Sequence, residues 1–278
     1  MTQMSDRIYE YARVLGLTIS PLLFSSRLSR QIVKFVARKA GSQVASLMAL
    51  IRPGDVIVDV GANTGGYTIL FGHLVGRTGF VHVFEPVPDT FIVLESNIKK
   101  ARLTARTRLN NCAVGNRLGT TQIYLPGEDR TEAALVRHEF ASWASSKITS
   151  FVCKLVTLDD YVSRNKVARI DFVKIDVEGA ELLVLQGMKA ILSSSNPPIL
   201  MLELFPTWMK DFGYSLEDLF GFLRSLDYEV YFMGNDGLIH CQSANEASSM
   251  LSFPRYLDFI CIKPRIHIQM VLPVIKVP

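Results

Sequence analysis

The chain has 278 residues and a mass of 31.1 kDa, with 49% hydrophobic and 20% charged residues. This composition supports a buried core in one large domain with attachments, and it excludes a disordered or fibrous protein. The longest apolar runs, such as residues 199–202, are too short to span a bilayer, and residues 1–10 are too polar for a secretory signal. Four cysteines without a CxxC pair favour reduced thiols and a cytoplasmic protein over a disulfide frame or a zinc site.

The net charge of +4 is concentrated at the start of the chain. Residues 1–52 contain eight Arg and Lys against two Asp and Glu, while the remainder has a small acidic excess. We interpret residues 1–52 as a basic N-terminal helical cap that packs its apolar side on the main domain. No RNA-binding motif accompanies these basic residues, so we expect no nucleic-acid partner. A peripheral contact with a membrane or with an acidic acceptor stays open.

From Pro53 onward, short β-branched runs alternate with amphipathic stretches of helical length. This pattern predicts strands at residues 55–60, 80–84, 108–114, 172–175, 199–204, 228–233 and 256–262, and helices at 67–74, 89–100, 180–192 and 216–226. Such alternation is typical of an α/β fold, in which helices cover both faces of an open, mostly parallel sheet. The loop at residues 234–237 permits a hairpin and one antiparallel strand near the end.

We assign residues 53–264 to this α/β domain. The polar segment 126–150 fits neither the helical nor the strand period, and we interpret it as a substrate-loop insert. Residues 265–278 are expected to form a C-terminal tail. The oligomeric state cannot be predicted from these features.

A glycine-rich turn follows the first predicted strand, where ligands bind in open α/β sheets. It reads Asp59-Val60-Gly61-Ala62-Asn63-Thr64-Gly65-Gly66. In a GxGxxG dinucleotide pattern the middle glycine would fall on Asn63, whose side chain stands where a diphosphate needs bare backbone. The turn therefore favours S-adenosylmethionine (SAM), which joins adenosine to an amino acid without phosphate.

An acidic residue supports a nucleoside-type cofactor. Glu85 ends the second predicted strand and follows Gly66 by 19 residues. An acid at this spacing accepts hydrogen bonds from both ribose hydroxyls. We therefore expect Glu85 to hold the ribose.

Three further carboxylates are predicted at the ends of central strands. Asp176 and Glu178 follow the strand at 172–175, and Glu203 lies near the end of the apolar strand at 199–204. Clustered carboxylates disfavour one another's ionisation and can serve as a base. Their oxygens also suit Mg²⁺, but the interpretation that they orient SAM or the acceptor is favoured, and no metal ligand is assigned. Glu181 is expected to complement the N-terminus of the following helix.

Five motifs in series carry a resemblance to a known family. They are Asp59–Gly65, Phe84–Pro86, Asn111–Gly115, Thr157–Asp160 and Lys174–Glu181, within a stretch from about residue 56 to 203. On these residues the chain resembles the FkbM family of SAM-dependent methyltransferases. The resemblance implies a seven-stranded, Rossmann-like class I sheet. It also implies methyl transfer from SAM, usually to a hydroxyl of a sugar or natural product.

The site residues expected under this interpretation fall into two groups. The cofactor group comprises Asp59, Gly61, Asn63 and Gly65 at the methionine end of SAM, Glu85 at the ribose, and Asn111, Cys112 and Ala113 at the adenine. The catalytic group has Asp176 as the first candidate for the general base, with Glu178 and Glu203 as alternatives.

Two other functions remain open from the sequence. One is an NAD-dependent oxidoreductase, against which Asn63 and the missing hydride-site signature argue. The other is a SAM-binding module without catalysis. The acceptor is expected to be a small molecule or a saccharide.

Overall fold

The computed structural model describes residues 42–127, 133–138, 143, 147–234, 237–250, 257–272 and 274–275. The basic residues 1–41 of the predicted cap lie outside this part. The helices are α1 (Ser42–Leu50), α2 (Gly66–Leu74), α3 (Pro88–Lys100), α4 (Leu158–Asn165), α5 (Glu181–Gln186), α6 (Lys189–Leu192), α7 (Pro206–Asp211), α8 (Leu216–Arg224), α9 (Ala244–Met250) and α10 (Pro264–Val271), with a 3₁₀ turn at Thr104–Arg106. The strands are β1 (Val56–Val60), β2 (Phe80–Phe84), β3 (Thr107–Asn110), β4 (Ala113–Val114), β5 (Gly119–Pro126), β6 (Ile148–Val156), β7 (Phe172–Ile175), β8 (Ile199–Leu204), β9 (Glu229–Gly234), β10 (Gly237–Cys241) and β11 (Leu257–Ile262).

The central sheet has eight strands in the order β10-β9-β11-β8-β7-β1-β2-β3. The five strands from β8 to β3 pair in parallel, whereas β11, β9 and β10 pair antiparallel with their neighbours. The predicted α/β fold with a mostly parallel sheet is therefore confirmed. Six of the seven predicted strands lie in this sheet, and the predicted strand 108–114 contributes only its first half. Strand β10 is the eighth strand and joins the edge through a hairpin with β9.

Apolar residues cover both faces of the central strands. Ile57 and Phe172 belong to one buried cluster, whereas their neighbours Val58 and Val173 belong to another. Successive side chains of a strand point to opposite faces, so nearly continuous apolar runs fill two cores. Helices α1, α2, α3 and α10 pack on the first face, and α4, α5, α8 and α9 on the second.

The predicted strand at residues 108–114 is wrong as a single element. Its first half is β3 of the central sheet, and its second half is β4, which pairs with β6 in a separate sheet of order β4-β6-β5. Between them, the side chain of Asn111 donates to the carbonyl of Glu85, and the chain turns away. A local sequence period does not reveal such a change of partner.

The predicted insert is narrower than its assigned bounds. Pro126 ends β5, and β6 begins at Ile148; the two strands pair antiparallel along their length. Between these two strands, residues 127, 133–138, 143 and 147 are described. Residues 133–138 return to the small sheet, because Ala134 and Tyr124 exchange backbone hydrogen bonds.

Three further differences from the sequence-based expectations involve helices. The helix predicted at 180–192 is broken after Gln186, where a Cβ on Gly187 would lie 1.9 Å from the carbonyl oxygen of Gly115. The stretch between the last strands, expected to lack a helix, contains α9. In the predicted tail, α10 packs on the sheet with Val271 fully buried.

No helix in the described ranges is long and apolar enough to cross a bilayer. All four cysteines belong to the described residues and are free thiols.

Candidate functional site

A cavity of about 260 Å³ opens at the carboxyl ends of β1, β2, β7 and β8. The turn after β1 and the end of β2 form one side, and the loop after β7 forms another. The small sheet and the insert contribute an apolar wall that includes Ile123, Ala133 and Leu135. Four carboxylates line the same space, namely Glu85, Asp176, Glu178 and Glu203.

The glycine-rich turn uses its own backbone donors. Its five successive amides all donate within the protein: Gly61 and Ala62 to the Phe84 carbonyl (3.0 Å each), Asn63 to Glu85 Oε2 (2.8 Å), Thr64 to Asn63 Oδ1 (2.7 Å) and Gly65 to the Ala62 carbonyl (2.9 Å). A diphosphate bound at such a turn needs free N–H groups. Residues 61–65 therefore have no free amide to offer one.

Gly61 is required by a close approach of two loops. Its φ is 78°, and a Cβ at this position would lie 1.7 Å from the carbonyl oxygen of Asp176. Parallel pairing of β1 with β7 aligns the ends of these strands, so the turn after β1 touches the loop after β7. The absence of a side chain at Gly61 thus allows the two walls of the cavity to meet.

Glu85 is a buried carboxylate that organises the turn. It is 4% exposed, and its oxygens accept hydrogen bonds from the amides of Asn63 (2.8 Å) and Val87 (2.9 Å). Burial raises the pKa of Glu85 to about 7, although these hydrogen bonds act against the rise. Each carboxylate oxygen can accept a second hydrogen bond, so the group keeps acceptor capacity toward the cavity.

Lys174 is a buried cation below the acidic strand ends. Its side chain is 2% exposed, and its Nζ lies 2.7 Å from Asp176 Oδ2 and 4.8 Å from the centre of the Tyr67 ring. Burial disfavours its charge, but Asp176 and Asp59 more than offset this, so the pKa of Lys174 is raised. The ion pair holds the Asp176 side chain at the cavity wall.

Glu203 and Asp258 face each other across the β8–β11 ladder. Burial and then the charge of Asp176, to which Glu203 is hydrogen-bonded, raise the pKa of Glu203 to about 8. Burial raises the pKa of Asp258 to about 6. Because several carboxyls share one nearby cation, Glu203 retains a proton near neutral pH.

The loop after β7 is held from below by a second buried acid. Glu181 is 1% exposed and accepts hydrogen bonds from the amides of Val177 (3.3 Å) and Gly179 (3.1 Å). The hydroxyl of Tyr214 donates to the carbonyl of Gly179 at 2.6 Å and also lies 3.3 Å from Glu181 Oε2. Glu181 therefore shapes the loop that presents Asp176 and Glu178, and its position at the start of α5 agrees with the helix N-terminal role expected for it.

Residues 59–230 match the family model described as the methyltransferase FkbM domain. The chain belongs to the FkbM methyltransferase family. The match covers more than half of the chain and includes all the strand ends that form the cavity.

Two curated proteins are similar to this chain. One is the 31-O-demethyl-FK506 methyltransferase FkbM of Streptomyces tacrolimicus, 30% identical over 50% of this chain and 61% of that protein. The other is the hexuronic acid methyltransferase AglP of Haloferax volcanii, 32% identical over 51% of this chain and 53% of that protein. The chain thus spans between half and two thirds of the length of these relatives.

Among solved structures, the methyltransferase FkbM from Methylobacillus flagellatus KT is similar with a TM-score of 0.47 and 13% identity. The similarity covers 92% of this chain and 59% of that one.

Within this FkbM-family domain, most of the expected site residues lie on the cavity. The wall contains Gly61, Asn63, Glu85, Cys112 and Ala113 of the cofactor group and Asp176, Glu178 and Glu203 of the catalytic group. The other three cofactor candidates, Asp59, Gly65 and Asn111, are not among the residues that line it.

These three residues lie outside the lining of the cavity. Asp59 is fully buried, and its Oδ2 accepts a hydrogen bond from Thr68 at 2.5 Å. Gly65 has a φ of 94° and precedes α2. A Cβ on Gly65 would lie 2.6 Å from Leu94. Asn111 donates to the carbonyls of Glu85 and Pro86. Of the three, Asn111 thereby contacts two residues that do line the cavity.

The sequence analysis missed three residues near this site: Asp258, Tyr214 and His138. Asp258 interrupts an apolar strand in the same way as Glu203, and that signal could have identified it. Tyr214 and His138 carry no comparable pattern, since they reach the loop after β7 from distant parts of the chain.

Clustered carboxylates can also hold a divalent cation. Within the described ranges, no group of three or more His, Cys, Asp or Glu is placed to hold a metal ion. The ammonium of Lys174 contacts Asp176 instead.

Proposed function

We propose that this protein transfers a methyl group from SAM to a hydroxyl of a sugar or natural-product acceptor. The observation that carries the choice of SAM is the hydrogen bonding of the turn, whose amides at residues 61–65 are all engaged. A dinucleotide would need free amide donors for its diphosphate, whereas SAM contains no diphosphate and does not need them. The acceptor class is supported by the curated relatives, which are named for FK506 and for a hexuronic acid.

In this proposal different cavity residues bind different parts of the cofactor. Gly61 and Asn63 contact its methionine end, Glu85 accepts from the ribose hydroxyls, and Cys112 and Ala113 border the adenine. When bound, SAM supplies an electrophilic methyl group on its sulfonium. The acidic wall suits such a cation.

Transfer of the methyl group to a hydroxyl requires that a base accept the proton of that hydroxyl. An alcohol is about as weakly acidic as water, whose pKa is about 16, so a base assists its attack. Asp176 is the first candidate, because it lines the cavity and the buried Lys174 holds its carboxylate in place. Its hydrogen bond with Glu203 lets the two groups share the proton. Glu178 lines the same wall and remains the alternative.

Two titrations test the cofactor. Isothermal titration calorimetry should detect binding of SAM and S-adenosylhomocysteine but not of NAD. Binding of NAD without SAM would overturn the proposal in favour of an oxidoreductase.

The Asp176→Asn variant tests the base. It should keep its SAM affinity within about threefold while methyl transfer falls about 10²-fold or more, because the acceptor proton loses its destination. The acceptor is first identified by incubating the protein with methyl-labelled SAM and fractions of host extract. Unchanged turnover would refute Asp176 as the base, and SAM binding without any labelled product would favour a non-catalytic module.

The location of the protein stays a prediction. The four free thiols are consistent with the cytoplasmic compartment expected from the sequence.

A further inference from the structure

A histidine of the insert reaches the loop that carries Asp176 and Glu178. His138 is 1% exposed. Its Nδ1 lies 2.7 Å from Asp211 Oδ2 at the end of α7, and its Nε2 lies 3.1 Å from the backbone carbonyl oxygen of Glu178. A carboxylate and a carbonyl are both acceptors. The ring therefore satisfies both contacts only when each nitrogen carries a proton, which makes it an imidazolium.

Aromatic packing holds this ring in place. It stacks on Trp208 with centroids 4.9 Å apart and planes inclined by 19°, and it meets Trp143 edge-on at 5.0 Å. A cation over an indole face is an attractive arrangement. Trp208 also packs on the loop itself, since a Cβ on Gly179 would lie 2.9 Å from its backbone.

The loop adopts a backbone conformation that needs support. Glu178 has a φ of 54°, in the left-handed region that non-glycine residues rarely adopt, and Gly179 follows with a φ of 96°. Such residues persist when surrounding contacts impose the conformation. Here the two successive carbonyls have different donors, His138 for Glu178 and Tyr214 for Gly179.

We infer that His138 is a positioning residue, held as a cation between Asp211 and the Glu178 carbonyl, which fixes the loop 176–179 as a wall of the cavity. The same contact ties the insert to the site, because Ala133 and Leu135, a few residues earlier, line that cavity. The consequence for catalysis rests on the proposed function, since the loop carries the proposed base. We call the contacts of His138 with Asp211 and with the Glu178 carbonyl the clamp. The clamp does not depend on the proposed function.

Hydrogen–deuterium exchange of the full chain tests the clamp without an acceptor. His138→Phe keeps a ring against Trp208 but removes both donors. Amides of residues 176–181 should exchange at least about tenfold faster in this variant than in the wild type. The matched control is His240→Phe, at the exposed position His240 on β10, which should leave these amides unchanged. Equal protection in His138→Phe and wild type would overturn the inference.

A second variant covers the case in which His138→Phe does not fold. Asp211→Ala removes the carboxylate and leaves the aromatic stack intact. It should also accelerate exchange at residues 176–181, and unchanged protection there would count against the clamp.

A spectroscopic measurement addresses the protonation state. Nitrogen-15 NMR of the wild type at pH 7.5 should show both ring nitrogens of His138 protonated, and a neutral ring would refute the assignment. Activity adds the functional consequence: His138→Phe should lower kcat about 10²-fold with the KM for SAM within about threefold, because a small displacement of the base is costly. An unchanged kcat would refute the positioning role. Failure of the wild type to bind S-adenosylhomocysteine would refute the proposed function but not the exchange and NMR results.

Discussion

The side chains of Asp176 and Glu203 are hydrogen-bonded, and the charge of Asp176 raises the pKa of Glu203. Lys174 contacts Asp176, while burial and then the charge of Asp176 favour the protonated form of Glu203. Asp258 adds another carboxyl on the neighbouring strand. In the proposed reaction, the Asp176–Glu203 pair rather than one residue would take up the proton of the acceptor.

This coupling predicts a pH dependence. Burial and the charge of Asp176 raise the pKa of Glu203 to about 8, so the pair carries a proton below that pH and is a weaker proton acceptor there than above it. We expect kcat/KM to rise as pH increases from about 7 to 9. The Glu203→Gln variant should lose this rise, because its side chain does not titrate.

Measured pH–rate profiles of wild type, Glu203→Gln and the control Glu95→Gln check this expectation. Glu95 is exposed on α3 and should leave the profile unchanged. A profile for Glu203→Gln that still rises through pH 8 would assign the titration to another group.

At the scale of elements, parallel pairing of β1 with β7 decides the shape of the site. It places the turn after β1 directly against the loop after β7, and Gly61 is the point of closest approach. Gly61 and Asp176, which are far apart along the chain, are therefore in steric contact.

Gly61→Ala is expected to separate these two walls. Its methyl group would overlap the Asp176 carbonyl, and the φ of 78° also disfavours alanine. We expect the free energy of unfolding to fall by about 1–3 kcal/mol and SAM binding to be lost. Urea unfolding and calorimetry measure the two effects.

Gly66→Ala is the matched control for that variant. Gly66 begins α2, and a Cβ there meets nothing within 4 Å. This change should be neutral or slightly stabilising, since alanine favours a helix over glycine. If Gly61→Ala behaved like Gly66→Ala, close contact between the two loops would not be a requirement of the site.

At the scale of the whole molecule, the basic front end and the cavity are separate parts of the chain. The cavity is lined by residues between 60 and 203, whereas the excess of positive charge lies in residues 1–52. Helix α1 belongs to the domain, because Leu47 and Leu50 are buried in the core. A deletion should therefore end at residue 41.

Removing residues 1–41 should leave SAM affinity within about twofold and abolish association with anionic vesicles. The lost segment carries most of the positive charge of the front end, and attraction to an anionic surface depends on that charge. Calorimetry and vesicle co-sedimentation are the measurements. Undiminished sedimentation would remove the predicted membrane contact, and lost SAM binding would show that the segment supports the domain.

The sequence by itself determined the family, the α/β class and the ends of the central strands. The strands at 80–84, 172–175 and 199–204 coincide with β2, β7 and β8, because their apolar runs are local signals. Glu85, Asp176 and Glu203 could be placed on the cavity for the same reason, since parallel strands bring their carboxyl ends to one edge.

Only the tertiary structure decided which residues meet across long separations. Asp258 lies opposite Glu203 because β11 returns antiparallel beside β8, and His138 reaches Glu178 because the insert folds back over α7. Asp59 was expected at the cofactor, but its strand buries it below the wall, against Thr68. Strand order, register and loop packing are properties of the assembled chain, and no local period encodes them.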